Sequence, residues 1–224
     1  MVNKEYDNEI DQLFQDVAIM AEKAKKVVSL SVDAFINVDQ KNIPEVRKLD
    51  DEIYSMEMMI EKRCIEQIAL HAPLATDLRV IFVITKIITD ISRIGRYGNN
   101  IADLAGKQRT DPEFEYLLLA MSEKSISLVS EAIASFLEKD IEKANSLFEK
   151  DDEVDSMWIS IFRESLTYMM EDPRYITEGM ELILVARYLE RVADHACNIG
   201  ERVNYLVTGT RRYRVNKEKV FTEL

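Results

Sequence analysis

Apolar residues recur at intervals of three and four along almost the whole of this 224-residue chain. This spacing matches one face of an α-helix, and no stretch keeps the period-two alternation of a β-strand. The four prolines lie near the starts of segments, where a first helical turn tolerates a residue without an N–H. The pattern predicts an all-α fold of six long helices over residues 8–38, 44–70, 75–105, 113–138, 141–169 and 174–207.

The two halves of the chain resemble each other. A shift of 101 residues lays residues 35–56 over 136–157 and matches Asp50-Asp51-Glu52 with Asp151-Asp152-Glu153. A shift of 98 lays residues 92–103 over 190–201, and one shortened connection would explain the changed offset. The repeat predicts two tandem three-helix bundles, since one unit is too thin to bury its apolar stripes alone. We place the first unit at residues 1–107, the second at 108–208 and a C-terminal tail at 209–224.

Charge and apolar content exclude several classes of partner. Acidic residues outnumber basic ones 41 to 29, and the net charge of −12 repels phosphate backbones and anionic lipid headgroups. The longest apolar run, residues 80–84, is far shorter than the roughly 20 residues of a membrane span, and the N-terminus lacks the pattern of a signal peptide. We therefore expect a cytoplasmic protein that binds no nucleic acid and does not insert into a membrane.

The stretch LERVADHACNIGERV, residues 189–203, has two unlike faces. On a helix, Glu190, Asp194, Asn198 and Glu201 fall within an arc of about 80°, and apolar residues fill the opposite side. The apolar face needs only a core to pack against. The row of oxygen ligands is either a solvated surface or a site for a cation, and the spacing alone leaves both open.

Three motifs in order resemble the PhoU family, namely APLATDLRVI at residues 72–81, the DDEI and DDEV pair on the second helix of each half, and LERVADHACNIGERV. The resemblance implies a duplicated six-helix protein of the cytosol that has no catalytic activity, restrains phosphate uptake and signals phosphate sufficiency. It also implies two partners, the ATPase subunit of a phosphate ABC transporter and a sensor histidine kinase. A homodimer is left open as a further assembly.

The resemblance also implies metal clusters, held by motifs in which Glu or Asp is followed four residues later by Asp. Asp151 with Asp155, and Glu190 with Asp194, match this motif, and residues four apart lie side by side on a helix. A bound cation would relieve the repulsion between these carboxylates. Oxygen ligands suit iron, magnesium, manganese or calcium, and carboxylates also bind zinc. We expect these four residues to hold metal ions, with iron or zinc ahead of magnesium or manganese.

Three further residues are secondary candidates for this site. Asn198 and Glu201 share the face of Glu190 and Asp194, as added ligands or as supports. Asp152 faces about 100° away from Asp151, so it joins only a cluster wider than one ion.

The first half departs from the pattern, because its equivalents of the four ligands are Asp50, Tyr54, Ser92 and Arg96. An arginine cannot bind a metal ion, so we expect the Arg96 guanidinium near Asp50 or Asp51 in place of an ion. An ordinary surface salt bridge is the alternative interpretation. The first half should hold fewer ions or none, on a degenerate site of Asp50, Asp51, Asn100 and Asp103.

The alternative function is a metal-dependent helical-bundle enzyme, either a hydrolase or a ferritin-like oxidase. His71 and His195 are the only histidines. The Glu-x-x-His pairs of di-iron bundles are absent, since the third residue after Glu190 is Ala193. We therefore favour a non-catalytic regulator that docks on transport and signalling partners.

Overall fold

The computed structural model describes the backbone of residues 4–106 and 112–211. The elements are α1 Lys4–Ile36, α2 Ile43–His71, α3 Thr76–Ala102, α4 Pro112–Glu138, α5 Ile141–Glu171, a short 3₁₀ turn Pro173–Tyr175 and α6 Ile176–Thr208. No strand occurs in the described part of the chain. The predicted all-α fold of six long helices is confirmed. Within the described ranges, no helix combines the length and apolar character that crossing a bilayer requires.

The helices form two groups that share a core. The helices α1, α2 and α3 pack against one another, as do α4, α5 and α6. The groups meet where α3 packs on α6 and α1 packs on α4, which leaves α2 and α5 on the outer sides. Buried side chains from both groups belong to one contiguous apolar cluster. Residues 107–111, around the predicted boundary, and 212–224, most of the predicted tail, lie outside the described residues, so the division stays a prediction.

Equivalent helices of the two halves pack antiparallel. Near the start of α3, Arg79 Nη1 donates to the carbonyl oxygen of Leu206, at the end of α6, over 3.2 Å. Toward the end of α3, the ring of Tyr97 stacks on that of Tyr188, with 5.9 Å between centroids. Because α3 and α6 are equivalent, this pairing relates the halves by an approximate two-fold axis. The α2–α3 and α5–α6 turns therefore lie at opposite ends of the molecule.

Local structure repeats along with the sequence. The first helix of each half is followed within two residues by one in the left-handed region, Val38 with φ 53° after α1 and Lys139 with φ 54° after α4. In both cases the next amide donates to a carbonyl five residues back, over 3.1 and 2.9 Å. The same ion pair also occurs in each half, between Lys23 and Glu52 and between Lys124 and Glu153.

Gly98 lets α3 approach α1 closely. A Cβ atom on Gly98 would lie 2.7 Å from Val27 Cγ1 and 2.9 Å from the Val28 backbone nitrogen. Gly179 of α6 is also crowded, but its Cβ would meet Met169 Cε at 2.6 Å, which is the end of a flexible side chain. Backbone cannot move aside as a methionine tip can.

We expect Gly98→Ala to lower the free energy of unfolding by roughly 1–3 kcal/mol, because the new methyl group overpacks against backbone. Gly179→Ala is the matched control, and its loss should stay below about 1 kcal/mol, since alanine favours a helix and Met169 can shift. Chemical denaturation followed by circular dichroism measures both variants. Equal losses of unfolding free energy in the two variants would show that the contact with α1 does not restrict position 98 to glycine.

Candidate functional site

The face shared by α5 and α6 carries the four carboxylates predicted as metal ligands. The two helices run antiparallel: Asn204 Nδ2 donates to Asn145 Oδ1 over 3.1 Å. Farther along, the Arg187 guanidinium lies 5.3 Å from the ring centroid of Trp158. This register brings the predicted ligands of α5 alongside those of α6.

These carboxylates are less exposed than a solvated face would be. Asp151 is fully buried and Glu190 is 7% exposed, while Asp155 and Asp194 are half-buried. A carboxylate removed from water is costly unless an opposite charge or hydrogen bonds compensate it. The face therefore needs positive charge close by.

Arginines of α6 supply positive charge within the face. Arg187 Nη1 donates to Glu190 Oε1 over 2.9 Å, and Arg191 Nη1 donates to Asp194 Oδ2 over 3.0 Å. Arg191 Nε also lies 3.7 Å from Glu190 Oε2. In residues 4–106 and 112–211, no group of three or more His, Cys, Asp or Glu side chains is placed to hold a metal ion. The oxygen donors suit a metal ion, and the guanidiniums of Arg187 and Arg191 contact two of them, Glu190 and Asp194. The metal site and its ion stay predictions.

The secondary candidates lie where the helical spacing puts them. Asn198 and Glu201 are half-buried on α6, and Asp152 is exposed on α5, whereas its neighbour Asp151 is buried. Their roles as ligands or supports also stay predictions.

In the first half, Arg96 lies beside Asp50, the one carboxylate among the four positions equivalent to the predicted ligands. Arg96 Nε is 3.6 Å from Asp50 Oδ2, so the predicted contact is confirmed. Burial raises the pKa of the Asp50 carboxyl, and the Arg96 guanidinium opposes that rise. An arginine therefore lies beside a half-buried carboxylate in the first half and beside a buried one, Glu190, in the second.

The other residues of the degenerate site have different neighbours. Asp103 pairs with Arg47 at the end of α3. Asp51 is exposed and lines a groove between α1 and α2 together with Lys48. Asn100 is half-buried on α3. Asp50 lies close enough to Asp51 and to Arg47 to interact with both electrostatically. The role of these four residues as a degenerate metal site stays a prediction.

A polar contact between the halves was not revealed by the sequence pattern. His195 Nδ1 and Asp90 Oδ1 lie 2.9 Å apart across the α3–α6 contact, and Arg202 Nε lies 4.0 Å from Asp90 Oδ2. The one indication in the sequence is that Asp90, 7% exposed, interrupts the apolar face of α3 between Ile87 and Ile91. We call Asp90, His195 and Arg202 the interhelix triad.

The cysteines serve packing. Cys64 is fully buried, and burial raises the pKa of its thiol to about 12. A thiol with so high a pKa stays protonated and is a poor nucleophile. Cys197 is also buried, with its Sγ 3.7 Å from the carbonyl oxygen of Leu147.

Comparison with known proteins covers both halves of the chain. The family model described as the PhoU domain matches residues 17–105 and again residues 118–203. The matched ranges contain the α5–α6 face and its first-half equivalent.

Similar proteins match over most of their length. A protein of Deinococcus radiodurans is 35% identical over 189 residues, covering 84% of this chain and 89% of the relative. One of Rhizobium meliloti is 36% identical over 217 residues, covering 92% and 88%. Both are named phosphate-specific transport system accessory protein PhoU homolog. The crystal structure of PhoU from Pseudomonas aeruginosa superimposes with a TM-score of 0.86 at 34% identity, covering 92% of this chain and all of that one.

We expect the interhelix triad to stabilise the contact between the halves. Asp90→Asn and His195→Gln should each lower the free energy of unfolding by about 1.5–3 kcal/mol, the range for hydrogen bonds to charged groups. A double-mutant cycle measures their coupling, which should be at least about 0.5 kcal/mol for residues in contact. Asp11→Asn, at an exposed carboxylate of α1, is the control and should change the free energy of unfolding by less than about 0.5 kcal/mol. A coupling of zero would mean that the two side chains act independently.

We expect metal bound on the α5–α6 face to compete with Arg191. The full chain, loaded with iron, zinc, manganese or magnesium and desalted, should lose most retained metal in Asp194→Asn, because an amide offers one neutral acceptor. Arg191→Gln should retain more metal, since a competing cation is removed. Asp103→Asn is the matched control in the first half. Elemental analysis measures all four proteins, and unchanged retention in Asp194→Asn would contradict the site.

Proposed function

The chain belongs to the PhoU family, and we propose that it is a non-catalytic regulator of a phosphate-specific transport system. The observation that carries this proposal is the match of a PhoU domain to each half of the chain. The relatives that match over most of their length are named as accessory proteins of a phosphate-specific transport system. This naming supports a regulatory role over an enzymatic one.

The proposed site of action is the cytoplasmic side of a phosphate ABC transporter. The protein docks there on the ATPase subunit and restrains uptake when phosphate is plentiful, and it signals through a sensor histidine kinase. With a net charge of −12, the chain has little attraction for anionic lipid headgroups. A protein partner therefore accounts for membrane association better than lipid does.

Two exposed apolar surfaces could make such a contact. At the α2–α3 end, Leu70 is 74% and Leu74 80% exposed, and Leu78 is exposed on the first turns of α3. At the α5–α6 end, Met170 is 84% exposed, with Ile176 and Met180 exposed nearby in the chain. We call these the first and second apolar turns. Clustered exposed apolar side chains are typical of interaction sites, and the first apolar turn is our preferred contact with the ATPase subunit.

We expect Leu74→Lys to reduce recovery of the protein on transporter-containing membranes several-fold, because a lysine ammonium resists burial in an apolar contact. Ile19→Lys is the matched control, since Ile19 is half exposed on α1, outside both apolar turns. In cells grown with excess phosphate, Leu74→Lys should raise phosphate uptake toward that of a deletion strain. Equal recovery on membranes with and without the transporter would contradict docking.

A further inference from the structure

A groove lies between α2 and α3 in the first half, with a volume of about 270 Å³. We call it the first-half groove, and its lining residues are Tyr54, Glu57, Thr89, Ser92, Arg93 and Arg96. The four residues from α3 are spaced as one helical face, and the other two lie one turn apart on α2. The groove has several times the roughly 30 Å³ that one water molecule occupies in the liquid, so a small ligand fits.

Each lining residue has an equivalent on the α5–α6 face. The shifts of 101 and 98 residues convert the six into Asp155, Trp158, Arg187, Glu190, Arg191 and Asp194. That face has three carboxylates and two guanidiniums, whereas the first-half groove has one carboxylate and two guanidiniums. The lining residues therefore carry a formal charge of +1 in the first-half groove and −1 on the α5–α6 face, and Asp50 beside Arg96 offsets part of the positive charge.

The arginine common to both halves shows the difference most clearly. Arg191 lies 3.0 Å from Asp194 and 3.7 Å from Glu190. The corresponding neighbours of Arg93 are Arg96 and Ser92, neither of which carries negative charge. Arg93 is exposed, and no ion pair to it is found among the residues that the structure describes. Its guanidinium keeps hydrogen-bond donors for a ligand.

The remaining groups in the groove define the ligand further. Arg96 is partly engaged by Asp50 at 3.6 Å, and its other nitrogen atoms can donate to a ligand. The hydroxyls of Ser92 and Tyr54 can also donate. The Thr89 hydroxyl already donates to the Thr85 carbonyl oxygen over 3.1 Å, so toward a ligand it only accepts. Guanidinium and hydroxyl donors together suit an oxyanion.

Glu57 selects among oxyanions. An ionised carboxylate only accepts hydrogen bonds, so it repels an anion that carries no proton. Inorganic phosphate keeps at least one proton at neutral pH and can donate it in a hydrogen bond to Glu57. Sulfate has no proton to donate, and a phosphomonoester, with a second pKa near about 6, has mostly lost its own.

We propose that the first-half groove binds inorganic phosphate, with Arg93 and Arg96 as cationic donors and Glu57 as the acceptor of the ligand's proton. The chain would then bind phosphate itself, in addition to its proposed regulation of a phosphate transporter. Binding is measured on the isolated protein, so it can hold or fail independently of docking on the transporter.

The test is a titration of the isotope-labelled full chain, observed by amide NMR at constant ionic strength. A chelator is present, so that phosphate held through a metal ion does not contribute. Inorganic phosphate should cause saturable shifts that cluster at residues 54–57 and 89–96. Sulfate and phosphoserine should bind several-fold more weakly. Shifts that do not saturate, or that are equal for sulfate, would overturn the proposal, and tighter binding of phosphoserine would overturn the assignment to free phosphate.

Two substitutions identify the groups responsible. Arg93→Gln should abolish saturable binding, and Arg174→Gln, which removes the same charge from an exposed residue paired with Asp172, should leave it unchanged. Glu57→Gln should remove the preference for phosphate over sulfate, because an amide can donate to either anion. Binding that survives Arg93→Gln, or a preference that survives Glu57→Gln, would overturn the assigned roles. Circular dichroism checks that each variant is folded.

Discussion

The antiparallel packing of α3 on α6 is the contact on which the rest of the structure depends. Each of these helices lies between the other two helices of its own half and the opposite half. Consequently α3 buries Ile84, Ile87, Ile88 and Ile91 almost completely, which is a wider apolar surface than a single stripe. Burial of apolar surface has no preferred direction, so it would tolerate sliding of one helix along the other. The contact between Asp90 and His195 at 2.9 Å is directional, so we expect it to help set the register of the two halves.

Much of the fold follows from the sequence because it depends on local spacing. The three- and four-residue period predicts each helix, and the two offsets predict the repeated unit, which the equivalent turns at Val38 and Lys139 display. The period shows that a residue is buried without showing which helix covers it. The shared core of the halves could therefore not be derived. The contact of Asp90 with His195 could not be derived for the same reason, because the two residues lie on different helices and far apart in sequence.

The candidate site was predictable in part for a similar reason. Helical spacing correctly groups Glu190 with Asp194 on one face and separates Asp152 from Asp151. It does not show that Arg187 and Arg191 turn toward those carboxylates, because long side chains choose rotamers according to the charges around them. In the first half, the contact between Arg96 and Asp50 was predictable, since it follows from aligning the repeats. Alignment of the two repeats thus predicted a contact between side chains of different helices, which the spacing within one helix cannot predict.

The approximate two-fold axis has a consequence for how the molecule can engage its surroundings. Because α3 and α6 are antiparallel, the first and second apolar turns point away from each other, separated by about the length of a 27-residue helix, or roughly 40 Å. The fold therefore offers two separate apolar surfaces for the proposed contacts. A partner assembly whose two binding sites are about that far apart would engage both turns, and once the first had bound, the second would bind from a high effective concentration. Two weak contacts would then give a high overall affinity, and loss of either contact would reduce that affinity sharply.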